Sequence, residues 1–72
     1  MEEVYTGTVV WFSVPLNYGF IKEDKTQQDI FCHFSDIVAD GFKLLKAGQK
    51  VRFKIGKNRA GRDKAIEVEI LK

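Results

Sequence analysis

Short runs of alternating apolar and polar residues recur along this chain between turn-forming residues, and nowhere does a helical period persist. The first run covers residues 4–12 and is rich in Val, Thr and aromatics. Ser13-Val14-Pro15-Leu16-Asn17 breaks it, because Pro15 has no N–H to give to a central ladder. Residues 18–22 and 29–34 form the next two runs, with the polar segment 23–28 as a hairpin loop between them. Residues 35–39 predict one helical turn capped by Ser35 and ended by Asp40-Gly41. A longer connection carries Phe42, Leu44 and Leu45 to Ala47-Gly48. Residues 49–55 then alternate cleanly, with Val51, Phe53 and Ile55 on one face and Lys50, Arg52 and Lys54 on the other. Residues 56–63 read as a mobile basic loop. In the last run Ile66, Val68 and Ile70 alternate with Glu67, Glu69 and Leu71. Five short strands with turns between them predict a small antiparallel barrel, since closure removes edges that would otherwise aggregate.

Length changes little in that picture. Seventy-two residues, 44% of them hydrophobic, make one domain over residues 1–72. A core of this size leaves about 3–5 kcal/mol of net stability. One Cys excludes an internal disulfide, and one Cys with one His cannot supply a four-ligand zinc site. No run approaches the roughly 18 apolar residues of a membrane span, and the start Met1-Glu2-Glu3-Val4 is unlike a signal peptide. A reducing cytoplasm is therefore the expected compartment. No nucleophile–base, metal or phosphate-loop spacing can be assembled around His33, so the sequence reads as a non-enzyme without metal or cofactor.

Charge is more informative by halves than in total. Twelve Lys and Arg against ten Asp and Glu give +2. Residues 1–36 hold two basic and six acidic side chains, whereas residues 37–72 hold ten and four. From Lys43 to Lys64 there are nine cations and one acid, Asp63.

Aromatic residues then give the basic half a purpose. In residues 18–22, Tyr18 and Phe20 share a face; in residues 29–34, Phe31 and His33 do so. With Ile21, Ile30 and Cys32 pointing inward, Tyr18, Phe20, Phe31 and His33 point outward. Antiparallel pairing sets Phe20 beside Phe31 or His33. Flat rings on a soluble surface suit nucleobases, because every base has a π-face. Duplexes bury those faces, so the matching partner is single-stranded, with its phosphates along the basic segment. Cross-strand packing pairs are the competing explanation for the same rings.

Val9-Val10-Trp11-Phe12, Tyr18-Gly19-Phe20-Ile21, Ile30-Phe31-Cys32-His33-Phe34-Ser35 and Asp40-Gly41-Phe42-Lys43 resemble, in order and spacing, the bacterial cold-shock proteins. The resemblance covers nearly the whole chain. RNA-recognition motifs carry similar aromatic strings, but in the opposite order and with two helices between them. The resemblance implies an OB-type barrel that binds single-stranded RNA or DNA. Carried over by position, the stacking residues are Trp11, Tyr18, Phe20, Phe31, His33, Phe34 and Phe42, supported by Phe12. Tyr18 replaces the family's usual Phe and adds a hydroxyl. Cys32 stands where Val is common, as a small core hydrophobe.

Departures from the family pattern cluster near the rings. Val10 replaces the Lys that usually precedes the Trp, and Pro15-Leu16-Asn17 replaces Asp-Lys-Gly. Asn17 can take the left-handed conformation that Gly provides. Residues 58–64 lack the usual Gly-Pro, run about two residues longer by alignment, and are more basic. Lys43, Arg59, Arg62 and Lys64 are the candidate phosphate contacts. The expectation is a monomer that binds single-stranded RNA or DNA by stacking with little sequence specificity, and touches no membrane. It would act as an RNA chaperone or a regulator of transcription or translation. The alternative is a protein-interaction module that presents Val10, Leu16 and the same rings to another protein.

Overall fold

The computed structural model describes residues 3–38 and 44–71. Its elements are β1 (Tyr5–Ser13), β2 (Tyr18–Glu23), β3 (Asp29–His33), a 3₁₀ turn (Phe34–Asp36), β4 (Lys50–Lys57) and β5 (Asp63–Ile70). The strands close in the order β1-β2-β3-β5-β4. The expected five-stranded barrel is the observed one. It is not wholly antiparallel: β3 and β5 run parallel and meet at Phe31 and Lys64. The 3₁₀ turn brings the chain round before β4 and makes that closure possible, and Ile37 continues the parallel contact by bridging to Val68.

Alternation fills the interior. Val9, Ile21, Ile30, Cys32, Val51, Phe53, Ala65 and Val68 are buried, joined by Ile37 and Leu45 from the connections. Tyr5, Phe12 and Ile55 pack partly buried against them. Phe53 is the largest side chain fully enclosed, and burying it contributes about 1.5–3 kcal/mol.

Several local expectations are corrected. The last strand does not alternate through Ile66, Val68 and Ile70. Glu67 takes a positive φ of 49°, the pairing with β4 shifts between Arg52 and Lys54, and Ala65 and Val68 become the buried residues. The extra residue puts Ala65 rather than Ile66 on the face that Val68 continues, and Ile70, the last residue of β5, is left exposed at the strand's end. The single turn after β3 is a 3₁₀ turn over Phe34–Asp36, capped by His33 rather than Ser35. Glu23 is not a loop residue but the buried end of β2. Its carboxylate accepts from the Lys25 and Thr26 backbone N–H groups, so burial costs it no unmet hydrogen bond. Strands β4 and β5 also extend into the expected 56–63 loop, leaving residues 58–62 as the connection.

Candidate nucleic-acid interface

A bulge turns the tryptophan outward. Val9 is buried, so strict alternation would bury Trp11 as well. Instead Val9 pairs with Ile21 and Trp11 with Phe20, which leaves Val10 as the inserted residue. Trp11 therefore lies on the outer surface, 39% exposed, beside Phe20. Phe12 falls on the other side and packs against the core, so it supports the surface rather than forming it. Gly19, opposite Phe12, permits this approach: a Cβ there would stand 2.2 Å from the Trp11 carbonyl oxygen and 2.7 Å from Phe12 Cα.

The β2–β3 register completes the surface. Tyr18 opposes His33 and Phe20 opposes Phe31, as the alternation required. Trp11 lies 5.7 Å from Tyr18 and 5.6 Å from Phe20 between ring centroids. Tyr18 and Phe20 each continue to Phe31, at 5.4 and 6.0 Å. Phe31 reaches His33 at 6.5 Å, and His33 reaches Phe34 at 4.8 Å. Most of these pairs are tilted or edge-on, an arrangement that favours ring contact and leaves faces open. Trp11, Tyr18, Phe20, Phe31, His33 and Phe34 thus form one connected sheet of rings. Phe42 and Lys43 lie outside the described residues.

Two polar details fix the far end of this sheet. The Ser35 backbone N–H donates to His33 Nδ1 at 3.3 Å, with Ser35 Oγ 2.9 Å from the same atom. With Nδ1 accepting, the neutral ring carries its proton on Nε2, leaving that N–H as a donor. Asn17 has φ 63°, the left-handed conformation expected of it. Its carbonyl accepts from the Phe34 N–H at 2.9 Å, tying the β1–β2 turn to the 3₁₀ turn.

Cations are distributed differently from what their number implies. Lys50 pairs with Asp24 at 2.9 Å, Arg52 with Glu69 at 3.2 Å, and Lys57 with Asp63 at 2.6 Å. Lys54 lies 3.4 Å from Glu67. Lys64, whose backbone sits opposite Phe31, lies 3.2 Å from Asp36 Oδ2. That oxygen is buried and accepts no aligned hydrogen bond, so the contact is an ion pair off the hydrogen-bonding direction. Among the described residues no carboxylate pairs with Arg59 or Arg62. Arg62 lines a groove with Phe20 and Phe31, whereas Arg59 is exposed in the 58–62 turn. That turn is held shut by Asn58. Its Oδ1 accepts from the Ala60 and Arg62 N–H groups at 2.9 and 3.0 Å, and its own N–H donates to the Arg62 carbonyl at 2.9 Å. The sequence reading missed Asn58; its place before Arg-Ala-Gly, in a turn-forming string, was the available signal.

Near the rings Val10, Val14 and Leu16 are exposed, at 41, 57 and 56%. Among the described residues no group of His, Cys, Asp or Glu could hold a metal, and no helix is long and apolar enough to cross a membrane.

A closed barrel of this topology bearing an outward sheet of rings defines a class of nucleic-acid-binding domain. Residues 5–71 match the model of the 'Cold-shock' DNA-binding domain. The chain is 46% identical over 67 residues to a cold shock-like protein of Aquifex aeolicus, covering 93% of this chain and 94% of that one. It is 43% identical over 61 residues to the cold shock-like protein CspA of Vibrio cholerae, covering 85% and 87%. Among solved structures, drosophila Unr CSD456 superposes with a TM-score of 0.80 at 21% identity, over 99% of this chain and 28% of that longer one. This chain belongs to the cold-shock domain family.

Proposed function

We propose that the protein binds short single-stranded stretches of RNA or DNA by stacking bases on Trp11, Tyr18, Phe20, Phe31, His33 and Phe34. The carrying observation is the continuity of these rings, each within 4.8 to 6.5 Å of a neighbour. Successive bases of a strand need such a platform, and each stacked base contributes about 1–3 kcal/mol. Phe42 and Lys43 join the site by family resemblance, while Arg62 and Arg59 serve the phosphates from the 58–62 turn. Binding stabilises the unpaired form of the strand by mass action and needs no ATP. That suits an RNA chaperone in the cytoplasm, or a regulator of transcription or translation, working as a monomer and without catalysis. Overall sequence preference is low because stacking uses faces common to all bases.

Titration with oligo-dT or oligo-U, followed by Trp11 fluorescence, tests this reading directly. The chain has a single tryptophan, and stacking on it quenches emission. Unchanged emission at tens of micromolar oligonucleotide and low salt overturns the proposal and leaves the exposed Val10 and Leu16 surface to be explained by a protein partner.

A further inference from the structure

Lys64 sits where two parts of the ring sheet meet one strand. Its backbone lies opposite Phe31, and its ammonium reaches Asp36, the last residue of the 3₁₀ turn that begins at Phe34. That turn has little else to hold its shape. None of its three residues is buried, and the Ile37 N–H closes it on the Phe34 carbonyl at 3.1 Å. His33, Asn17 and the Ile37–Val68 bridge fix its two ends. Between those ends, Asp36 ties the turn to β5 through Lys64. With side chains 18% and 27% exposed, this pair is less exposed than those of Lys50, Arg52 and Lys57. Asp36 Oδ2 is enclosed and accepts no aligned hydrogen bond, so the ammonium 3.2 Å away is what answers its charge. A phosphate could recruit Lys64 only by drawing it off that oxygen. A buried carboxylate left without its cation is strongly unfavourable.

We infer that Lys64 is a positioning residue for base stacking rather than a phosphate contact: through Asp36 it sets the 3₁₀ turn and with it the ring of Phe34. The inference rests on the stacking reading above. The line of contacts is short. Asp36 ends the turn, Phe34 starts it, and Phe34 lies 4.8 Å from His33 between ring centroids. Without its cation the carboxylate turns toward water, because solvation is the remaining way to meet its charge. That movement carries the turn with it. The turn in turn carries Phe34 and also Ser35, whose N–H and hydroxyl hold His33 Nδ1. Trp11 and Phe20, at the other end of the ring sheet, are held by the β1–β2 ladder and stay in place. Lys64 therefore adds affinity at one end of the sheet. Its own charge is spent on Asp36, so it adds nothing to the salt dependence of binding.

Oligo-dT titrations followed by Trp11 quenching, repeated over a range of salt, separate the two roles. Lys64→Gln should weaken binding about fivefold, the low end of what one stacked base contributes, and leave the salt slope unchanged. A phosphate contact would instead lower that slope by about one. Two double-mutant cycles locate the effect. In an Asp36→Asn background the charge that Lys64 answers is gone, so Lys64→Gln should cost less than about twofold there. Phe34→Ala should cost less in the Lys64→Gln background than in the wild type, whereas Phe20→Ala should cost the same in both. The double variant Asp36→Asn, Lys64→Gln buries no lone charge. Its salt slope, expected to equal that of the wild type, decides the question even where Lys64→Gln alone unfolds. Four results overturn the inference and leave the stacking reading intact: unchanged affinity in Lys64→Gln, a slope lowered by about one in either variant, an equal cost with and without Asp36, or coupling to Phe20 as strong as to Phe34. Failure of the wild type to bind any oligomer overturns both.

Discussion

Phe20 and Phe31 face one another across the β2–β3 pair, with ring centroids 6.0 Å apart and planes at 78°. Crossed edges of this kind hold the two rings together while leaving a face of each open to a base. Phe20→Ala or Phe31→Ala should therefore weaken oligo-dT binding by about 1–3 kcal/mol, or roughly 5- to 150-fold. Both rings are only partly buried, so the urea midpoint should move far less than the affinity. Isothermal titration beside denaturation separates these effects. A variant that binds normally would remove its ring from the interface.

Salt dependence follows from the pairing of the cations. Lys50, Arg52, Lys57 and Lys64 already have carboxylate partners, so much of the charge on β4 and β5 is committed within the protein rather than to phosphates. The logarithm of affinity against the logarithm of salt should fall with a slope equivalent to about two to four phosphates. Arg62→Gln should reduce it by about one. A slope near eight phosphates would contradict a mode dominated by stacking.

Gly19→Ala tests what permits the tryptophan's outward position. The added methyl would meet the β1 backbone at the Trp11 carbonyl oxygen and Phe12 Cα, at 2.2 and 2.7 Å, and neither atom belongs to a flexible side chain. Stability should drop by at least about 2 kcal/mol, a large share of the whole for a domain of this size. Wild-type-like urea denaturation would show that β1 and β2 separate without cost.

Much of the interface could be read from alternation, because Tyr18, Phe20, Phe31 and His33 sit on regular strands where period two holds. Trp11 and β5 show where that reading ends. An inserted Val10 turns Trp11 outward, and the irregularity at Glu67 puts Ala65 rather than Ile66 inward ahead of Val68. Bulges follow from how neighbouring strands must bend to close the barrel, and no local composition marks them. Counting charges meets a related limit. The excess of cations in the second half is real, but Asp24 and Asp36 come from the first half to meet Lys50 and Lys64. Only the fold brings those partners together.

Asp24 gives the barrel an acid sensitivity. Its carboxylate accepts from Lys50 Nζ at 2.9 Å and from the Thr6 hydroxyl at 2.8 Å. These hydrogen bonds, that to Lys50 foremost, hold its pKa below the usual 3.8. Stability from this group is present above the unfolded value and lost as pH falls through the lower folded one. Urea midpoints measured from pH 7 down to pH 2 should fall less steeply for Asp24→Asn than for the wild type.

Cys32 governs the alkaline side. The side chain is fully buried, and desolvation, with a smaller contribution from Asp36, pushes its thiol from 9.0 up to about 12. Unfolding above pH 9 releases a proton that the native state keeps, so stability falls as pH rises between those values. Cys32→Val should flatten that decline. A thiol reagent at pH 8.5 should label the wild type only after urea unfolds it, because the thiolate is the reactive form; rapid labelling of native protein would place the sulfur at the surface.

The barrel closes at its parallel seam, where β3 and β5 meet at Phe31 and Lys64 and the bridge from Ile37 to Val68 follows. Elsewhere neighbouring strands are stitched by longer antiparallel ladders. The groove occupies the gap this seam leaves open, with β3 on one bank and the 58–62 turn on the other. On the stacking reading proposed above, a base seated there would touch both banks at once and clasp the join that has a single paired position. Ligand and fold would then share one fastening: amide hydrogens of β3 and β5 should exchange more slowly once an oligonucleotide is bound, and the domain's resistance to opening should depend partly on what it carries.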